Sequence, residues 1–437
     1  MSGPEEDIRA SDKEAATQTV AAYPENSTYP EGGYGWICVL GSALIFFNGW
    51  GFSNAFGVFQ TYYEIQFPDS SASVIALIGS LQACLIEGTG MLVGVFVDRY
   101  GMRPVMLVGA ILQVGALLAA SFSTKIWHLY LSQGVMYGLG AGALYIVAVS
   151  VPGQWFHKRK ATAYGILYTS SGLGGVLWPI ILTQLFGKVG FGWTMRITMF
   201  ITLVQVVIGC LLLRERPLSQ PSADADEKSG RAQEPRVEVQ DVNIYKSKTL
   251  WYCAAGYFIL SIGMLSPMFY IGTFAKVNGM SDHLSFYLLS MLNTASIPGR
   301  TICGWLADRY GRMNALCVSI FAAALVQLIM WSTIRTNAEI ILFSCFYGFS
   351  FGGLISLMPA VTAQVCGQQK LASKFGVVSA LGGAGTLVGA PIAALFIGDS
   401  PESYLGCILF SGFCMLLATA WYTGLRFYTD RRIFVVL

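Results

Sequence analysis

Twelve long apolar runs, separated by short polar segments, dominate the amino-acid sequence. A helix crosses the ~30 Å of bilayer hydrocarbon with about 20 mostly apolar residues. Because lipid offers the backbone no hydrogen-bond partners, a helix is the spanning structure that such runs favour. Only 12% of the residues are charged, whereas soluble domains carry about a quarter. The predicted spans cover residues 36–60, 74–97, 104–123, 127–151, 161–184, 193–213, 250–275, 285–307, 313–332, 338–361, 373–396 and 402–427.

The polar segments divide the chain into five parts. The first 35 residues are rich in acids, Ser, Thr and Pro, a composition typical of disordered tails. The segment between the sixth and seventh runs mixes charges with Pro and Ser, as flexible linkers do. The sequence therefore predicts a disordered cytoplasmic tail over 1–35, a six-helix bundle over 36–213, a cytoplasmic linker over 214–249, a second six-helix bundle over 250–427 and a cytoplasmic tail over 428–437.

The lysines and arginines predict the orientation, since short cytoplasmic loops are enriched in both. If both termini are cytoplasmic, 21 of the 27 basic residues lie on the cytoplasmic side, four on the opposite side and two within spans. We therefore expect a multi-pass protein with both termini in the cytoplasm, and we place it in the plasma membrane.

An internal repeat relates the two sets of six spans. Residues 94–101 read GVFVDRYG and residues 304–311 read GWLADRYG, displaced by 210 positions. A second match, between 163–165 with Pro179 and 374–376 with Pro391, has nearly the same displacement. Two matches at one displacement indicate a duplicated unit. The sequence thus predicts an all-α membrane protein of twelve helices in two parallel-repeat six-helix bundles, which resembles the major facilitator fold.

The repeated acidic and basic pairs are candidate gating residues. Asp98 with Arg99, and Asp308 with Arg309, follow a glycine that lets two helices approach closely. Such pairs can engage helix ends in the opposite bundle and hold the cytoplasmic face closed. The alternative is a pair of ordinary charged loops that only set the topology.

Several classes of function are excluded by what the sequence contains. Ten cysteines are scattered singly and only three histidines are present, so we expect no metal site and no cofactor. The glycine-rich stretches lie inside apolar runs without a GK[ST] sequence, and helix packing explains them. Neither a nucleophile–His–acid set nor a basic surface for nucleic acid is evident, and we therefore expect no enzyme.

Two sequence signatures resemble those of the monocarboxylate-transporter family. Residues 31–36, EGGYGW, match the signature that precedes the first helix of that family. Residues 155–165, WFHKRKATAYG, match the one that opens its fifth helix. Arg300, four residues before Gly304, is similar to the family's intramembrane arginine, and the polar tail and compact linker are similar to those of fungal members. The resemblance implies transport of small organic acids.

Two departures separate the chain from the lactate carriers of that family. Those carriers have a lysine in the first helix, whereas residues 52–58 contain none. They also have an aspartate one turn before the arginine, where this chain has Ser296. The lactate carriers' proton relay is therefore not carried over.

Two ionisable residues lie deep inside the predicted spans, where charge is costly and commonly functional. At 1.5 Å per residue, Arg300 lies ~12 Å and Glu87 ~16 Å from the cytoplasmic ends of their helices. Arg300 is a candidate contact for a substrate anion, or else a structural arginine that joins helices. Glu87 is a candidate proton carrier, or else a permanently hydrogen-bonded carboxylate. Asn54 and Tyr168 are further candidates for substrate binding.

The combined prediction is a secondary active transporter that works by alternating access. It would move a small organic acid or acidic metabolite across the plasma membrane as a monomer, with protons as a candidate coupling ion, and the first hypothesis is efflux of a secondary metabolite. One alternative is an importer of a monocarboxylate or of a vitamin such as riboflavin. Another is a nutrient sensor with a transporter fold, which binds its ligand without transporting it.

Overall fold

The computed structural model describes residues 29–216, 244–397 and 403–429, and no β-strand occurs within those ranges. Helices that match the twelve predicted spans follow one another along the chain. They are α1 Tyr34–Gln66, α2 Val74–Tyr100, α3 Met102–Ala120, α4 Ile126–Trp155, α5 and α6 together over Lys160–Leu212, α7 Lys248–Val277, α8 Asp282–Tyr310, α9 Arg312–Trp331, α10 Asn337–Cys366, α11 Leu371–Ala394 and α12 Tyr404–Thr429.

The boundary between α5 and α6 is a single glycine inside a 53-residue helical stretch. Gly190 has φ 72° and ψ 175°, a conformation that glycine adopts readily because it has no Cβ. The backbone turns there, and one continuous stretch becomes two helices. Among the described residues, ten stretches are long and apolar enough to cross a membrane, this one included. The remaining helix, α8, carries Arg300 and the Asp308–Arg309 pair and is less apolar.

The contacts between the first six helices and the last six form two seams. At one seam α5 packs against α8, and at the other α11 packs against α2 and α4. The repeat relates the seams, because α5 and α11 are counterparts and so are α2 and α8. We call the end of the bundle that carries Asp98 and Asp308 the basic end, since the basic residues concentrate there.

Most of the predicted tails and linker lie outside the described residues. Within the described part of the predicted N-terminal tail, residues 29–33 are not helical, whereas Tyr34 and Gly35 already belong to α1. Residues 1–28, 217–243 and 430–437 are not described, and the five-part division of the chain therefore stays a prediction.

Candidate functional site

Asp308, at the end of α8, binds the first turn of α5 in the opposite half. Its carboxylate accepts hydrogen bonds from the backbone N–H of Ala161 at 3.0 Å and of Thr162 at 2.7 Å. The Thr162 hydroxyl donates a third hydrogen bond at 2.8 Å. The first N–H groups of a helix have no acceptor within the helix, and a negative charge is favourable at this end. Asp308 therefore acts as a cap that one half supplies to the other.

Asp98 makes the equivalent contact at the other seam. Its carboxylate accepts a hydrogen bond from the backbone N–H of Ser373 at 3.0 Å, in the first turn of α11, and another from the Ser373 hydroxyl. The two aspartates are repeat counterparts, and so are the two helix ends they cap. Two contacts of the same kind, which we call the latches, therefore join the halves at the basic end, and each half supplies one of them.

The glycines of the repeated sequences allow this close approach. A Cβ at Gly94 would lie 2.4 Å from the carbonyl oxygen of Ala372, and one at Gly304 would lie 2.6 Å from that of Ala161. Contacts this short to backbone atoms leave no room for a side chain. Each glycine thus brings its aspartate within reach of the helix end that it caps.

The two arginines of the repeated sequences point away from the latches. Arg99 lies over the ring of Tyr100, with 5.5 Å between the guanidinium carbon and the ring centroid. Arg309 lies over the ring of Trp305 at 5.4 Å. Both arginines are exposed, and their predicted part in gating stays a prediction.

The two signature sequences, 31–36 and 155–165, form one structural unit at the basic end. The Glu31 carboxylate accepts hydrogen bonds from the backbone N–H of His157 at 2.9 Å, Lys158 at 2.6 Å and Arg159 at 3.2 Å. The rings of Trp36 and Phe156 pack with centroids 4.7 Å apart. Glu31 therefore holds the turn that leads into α5 from within the same half, next to the first turn of α5 that Asp308 caps.

Charged groups surround this shared helix end. Arg312 pairs with Asp308 at 3.2 Å and also donates a hydrogen bond to the carbonyl oxygen of His157. Partial burial, together with the positive charges of Lys160 and Arg312, holds the pKa of His157 below its ordinary value of 6.5. His157 therefore favours its neutral form in this structure.

Arg300 lies at the seam between α8 and α5 and is 2% exposed. Its guanidinium donates to the carbonyl oxygen of Tyr168 at 2.6 Å and to the Ser171 hydroxyl at 2.9 Å. Its Nε atom has no partner among the described residues, and no described carboxylate forms an ion pair with it. A buried positive charge without a counter-charge is costly, and an anion would compensate it.

Glu87 lies at the other seam and is 3% exposed. It accepts a hydrogen bond from the hydroxyl of Tyr257, on α7 in the opposite half, at 3.2 Å. A Cβ at Gly383 of α11 would lie 3.0 Å from the Cβ of Glu87. The carboxylate therefore sits where two helices of the other half meet α2.

Aromatic side chains fill the space between these two ionisable residues. The hydroxyl groups of Tyr145 and Tyr168 lie 3.4 Å apart. The ring of Phe46 packs against both tyrosines, at 5.3 and 4.7 Å between centroids, and Trp50 and Phe375 pack against Tyr145 at 6.2 and 5.9 Å. The structure thus brings Tyr168 to Arg300 through its backbone and to Tyr145 through its side chain.

Asn54 lies nearer the opposite end of the bundle than Arg300 does. A Cβ at Gly175 of α5 would lie 3.1 Å from the side-chain amide of Asn293 and 3.2 Å from the Cβ of Asn54. Asn293 precedes Arg300 by seven residues on the same helix, which places it ~10 Å away. The four residues Arg300, Tyr168, Glu87 and Asn54 therefore do not form one cluster.

Some of these contacts could not be recognised in the sequence. Tyr257 and Tyr145 are two of 21 tyrosines, and neither has a local signal that separates it from the others. Glu31 lies in a recognised signature, but the turn that it binds is more than 120 residues further along the chain. Among the residues described, no group of three His, Cys, Asp or Glu side chains is arranged to hold a metal ion.

The sequence profile of the Major Facilitator Superfamily matches residues 38–373 and 296–432. The chain therefore belongs to the Major Facilitator Superfamily, a class of membrane transport proteins.

Several fungal proteins are similar to the chain over most of their length. The agnestins efflux protein AgnL12 of Paecilomyces divaricatus is 35% identical over 386 residues, which cover 88% of this chain and 86% of that protein. The aspyridones efflux protein apdF of Emericella nidulans is 33% identical over 396 residues, which cover 90% and 78% of the two chains.

Solved transporters share the fold at low sequence identity. A bacterial homologue of the iron transporter ferroportin, in an outward-facing state, superposes with a TM-score of 0.70 at 15% identity, covering 90% of this chain and all of that one. The human organic anion transporter MFSD10 gives a TM-score of 0.67 at 15% identity, with the same coverage. These likenesses confirm the fold predicted from the repeat.

Proposed function

We propose that this transporter moves a small organic acid or acidic metabolite out of the cell by alternating access. The observation that carries the proposal is Arg300, a buried cation at the seam between the halves whose Nε has no partner in the described structure. A carboxylate binds a guanidinium through two oxygens and would compensate this charge. The chemistry of Arg300 therefore favours an anionic substrate.

The direction of transport is inferred from the relatives. Two similar fungal proteins are described as efflux proteins, for agnestins and for aspyridones. We infer the same direction and a secondary metabolite as the cargo. The aromatic side chains of Phe46, Trp50, Tyr145 and Phe375 between the seams favour an acid with an aromatic or planar frame.

The two signatures support descent from the monocarboxylate-transporter branch. Glu31 in one signature holds the turn that leads into the helix opened by the other signature, so the two signatures are joined structurally. Residues 52–58 and Ser296 lack the lysine and aspartate of the lactate carriers. We therefore propose the branch without lactate as the cargo.

Glu87 is the proposed proton carrier. It is buried among neutral groups and hydrogen-bonded to Tyr257 across a seam that must open during transport. An acid made inside the cell would then leave down its own gradient together with a proton. The latches at Asp98 and Asp308 would hold the cytoplasmic side closed while the other side exchanges the substrate.

The proposed cellular arrangement follows the distribution of charge. We place the basic end in the cytoplasm with both termini, in the plasma membrane, and we propose a monomer of two six-helix bundles. Arg99, Arg309 and Asn54 keep their proposed parts in gating and in lining the substrate path.

The experiment compares acidic metabolites inside and outside the producing cells, with and without the gene. We expect an acid to accumulate inside cells that lack the gene. Restoring the gene should return the acid to the medium, and an Arg300→Leu variant that still reaches the membrane should not. Loss of uptake from the medium would instead indicate an importer, and saturable binding without flux in proteoliposomes would indicate a sensor. Wild-type efflux by Arg300→Leu would remove Arg300 from the site.

A further inference from the structure

Tyrosine side chains lie between the two buried ionisable residues, one of which belongs to each half. Glu87 of α2 accepts a hydrogen bond from Tyr257 of α7 at 3.2 Å. Arg300 of α8 donates to the carbonyl oxygen of Tyr168 of α5 at 2.6 Å. Between them, the Tyr168 hydroxyl lies 3.4 Å from that of Tyr145 on α4.

We propose that the hydroxyl pair of Tyr145 and Tyr168 couples protonation of Glu87 to binding of the acid at Arg300. The proposal rests on the proposed function, in which Glu87 carries the proton and Arg300 contacts the anion. Both tyrosines are positioning residues, because they act through the residues at either end of the pair.

Tyr145 is the member of the pair on the side of Glu87. Helix α4 packs against α2 one turn before Tyr145, where a Cβ at Gly142 would lie 3.0 Å from the carbonyl oxygen of Ile86, the residue before Glu87. The Tyr145 hydroxyl is close enough to Glu87 for the two groups to interact electrostatically. The other titratable groups that face Glu87 are Tyr257 from α7 and Cys84 from its own helix. Helix α11 approaches Glu87 at Gly383, which has no side chain and therefore contributes no titratable group.

The coupling follows from the single proton of a hydroxyl group. The Tyr145 hydroxyl donates one hydrogen bond at a time, and an ionised Glu87 attracts that proton. When Glu87 binds a proton, Tyr145 is free to donate to the Tyr168 hydroxyl, which can then donate its own proton to an anion bound at Arg300. The Tyr168 hydroxyl is close enough to the Arg300 guanidinium to interact with it electrostatically, and hydrogen bonds in series polarise one another in a medium of low dielectric constant. Protonation of Glu87 should therefore raise the affinity for the anion, and by linkage the anion should raise the affinity for the proton.

The packing around the two hydroxyl groups keeps them in place. Tyr145 is 5% exposed and Tyr168 4%, and the ring of Phe46 packs against both. All three residues belong to the first six helices, whereas Tyr257 and Arg300 belong to the last six. The hydroxyl pair and Glu87 thus stay with one half, whereas Arg300 and Tyr257 move with the other.

The test measures uptake of radiolabelled p-aminohippurate by proteoliposomes between pH 7.5 and 5.5. This probe carries one carboxylate and one aromatic ring, and it crosses protein-free membranes slowly. Tyr145→Phe and Tyr168→Phe each remove one hydroxyl group and keep the ring, and the Tyr168 carbonyl remains. The matched control is Tyr347→Phe, because the buried Tyr347 hydroxyl donates to the carbonyl oxygen of Met264 within one half, at 2.6 Å.

We expect wild-type uptake to rise about tenfold on acidification, within the range of ordinary coupling energies. The Tyr347→Phe variant should keep this ratio. In Tyr145→Phe and Tyr168→Phe the ratio should fall below about twofold, as in Glu87→Gln, because the link between the two sites is lost. If either tyrosine variant shows no net uptake, exchange of labelled for unlabelled probe at equal pH tests whether that variant still binds and moves the probe. Retained exchange supports lost coupling, and absent exchange overturns the proposal.

The two proposals fail in different ways. Wild-type uptake that is absent or independent of pH would overturn the proposed function and the coupling with it. Wild-type uptake that depends on pH, on Arg300 and on Glu87, but is unchanged in both tyrosine variants, would overturn the coupling alone.

Discussion

Removal of the Asp308 carboxylate should open the basic end of the transporter. Asp308→Ala deletes three hydrogen bonds that cross between the halves, all accepted by the carboxylate, from the N–H groups of Ala161 and Thr162 and from the Thr162 hydroxyl. A hydrogen bond to a charged group contributes about 1.5–3 kcal/mol, and a helix N-cap about 0.5–2 kcal/mol. Because the three bonds share one carboxylate and are not additive, we expect a loss of about 3 kcal/mol in the closed state. The ratio of open to closed protein should rise roughly 150-fold.

The assay is amide hydrogen exchange of the protein in lipid nanodiscs, measured at the start of α11, where Asp98 forms the other latch. The backbone N–H of Ser373, at the start of α11, is held by Asp98 and does not touch Asp308. If the halves part as rigid units, Asp308→Ala must speed exchange in residues 371–377 as well as at the start of α5. Peptides from the middle of α9, away from both seams, serve as the internal reference.

Glu31→Ala is the matched control, because Glu31 binds the turn just before α5 from within its own half. We expect it to speed exchange at residues 157–159 and to leave residues 371–377 unchanged. The reasoning is refuted if Asp308→Ala affects α5 alone, since the two latches would then open independently.

Three further predictions concern the gate and the proton site. Gly94→Ala should disfavour the closed basic end by about 1–3 kcal/mol through overpacking, because its Cβ would lie 2.4 Å from a backbone oxygen of α11. Amide hydrogen exchange at the start of α11 should therefore become faster. In the control Gly88→Ala, on the same helix, the added Cβ meets no neighbouring atom within 4 Å, and exchange at α11 should not change. His157 has a lowered pKa in the folded protein, so the unfolded chain binds more protons and stability falls as the pH drops below about 6.5. His157→Gln should lose less thermal stability between pH 7.5 and 5.5, and an equal loss would contradict the assignment. Glu87→Gln should abolish the pH dependence of transport, and an unchanged pH profile would leave Glu87 only a structural role.

The sequence predicted the helices well because each membrane-spanning helix is recognised from its own run of apolar residues. Each predicted span lies within or close to one observed helix, and the repeat at 94–101 and 304–311 correctly related the two seams. The boundary at Gly190 was placed only approximately, because a single residue with positive φ carries little sequence signal. Helix α8 was recognised from its length and its place in the repeat, although its polar residues lower its hydropathy.

The candidate site was less predictable than the fold. Arg300 and Glu87 could be singled out because charge is rare inside membrane spans. Their partners could not, because the Tyr168 carbonyl and the Ser171 hydroxyl have no chemistry that distinguishes them in a sequence. The separation of Asn54 from Arg300 likewise became visible only when α1, α5 and α8 were packed together.

The class of protein, the number of helices and the acidic residues at the basic end follow from the amino-acid sequence alone. These properties depend on local composition and on spacing along the chain. The packing of the helices was needed to show that Asp98 meets Ser373, that Asp308 and Glu31 meet at the start of α5, and that Arg300 lacks a counter-charge among the described residues. Each of these contacts joins a side chain to backbone groups far away in the sequence. Backbone N–H groups are nearly identical at every residue, and packing alone selects which of them a carboxylate will cap.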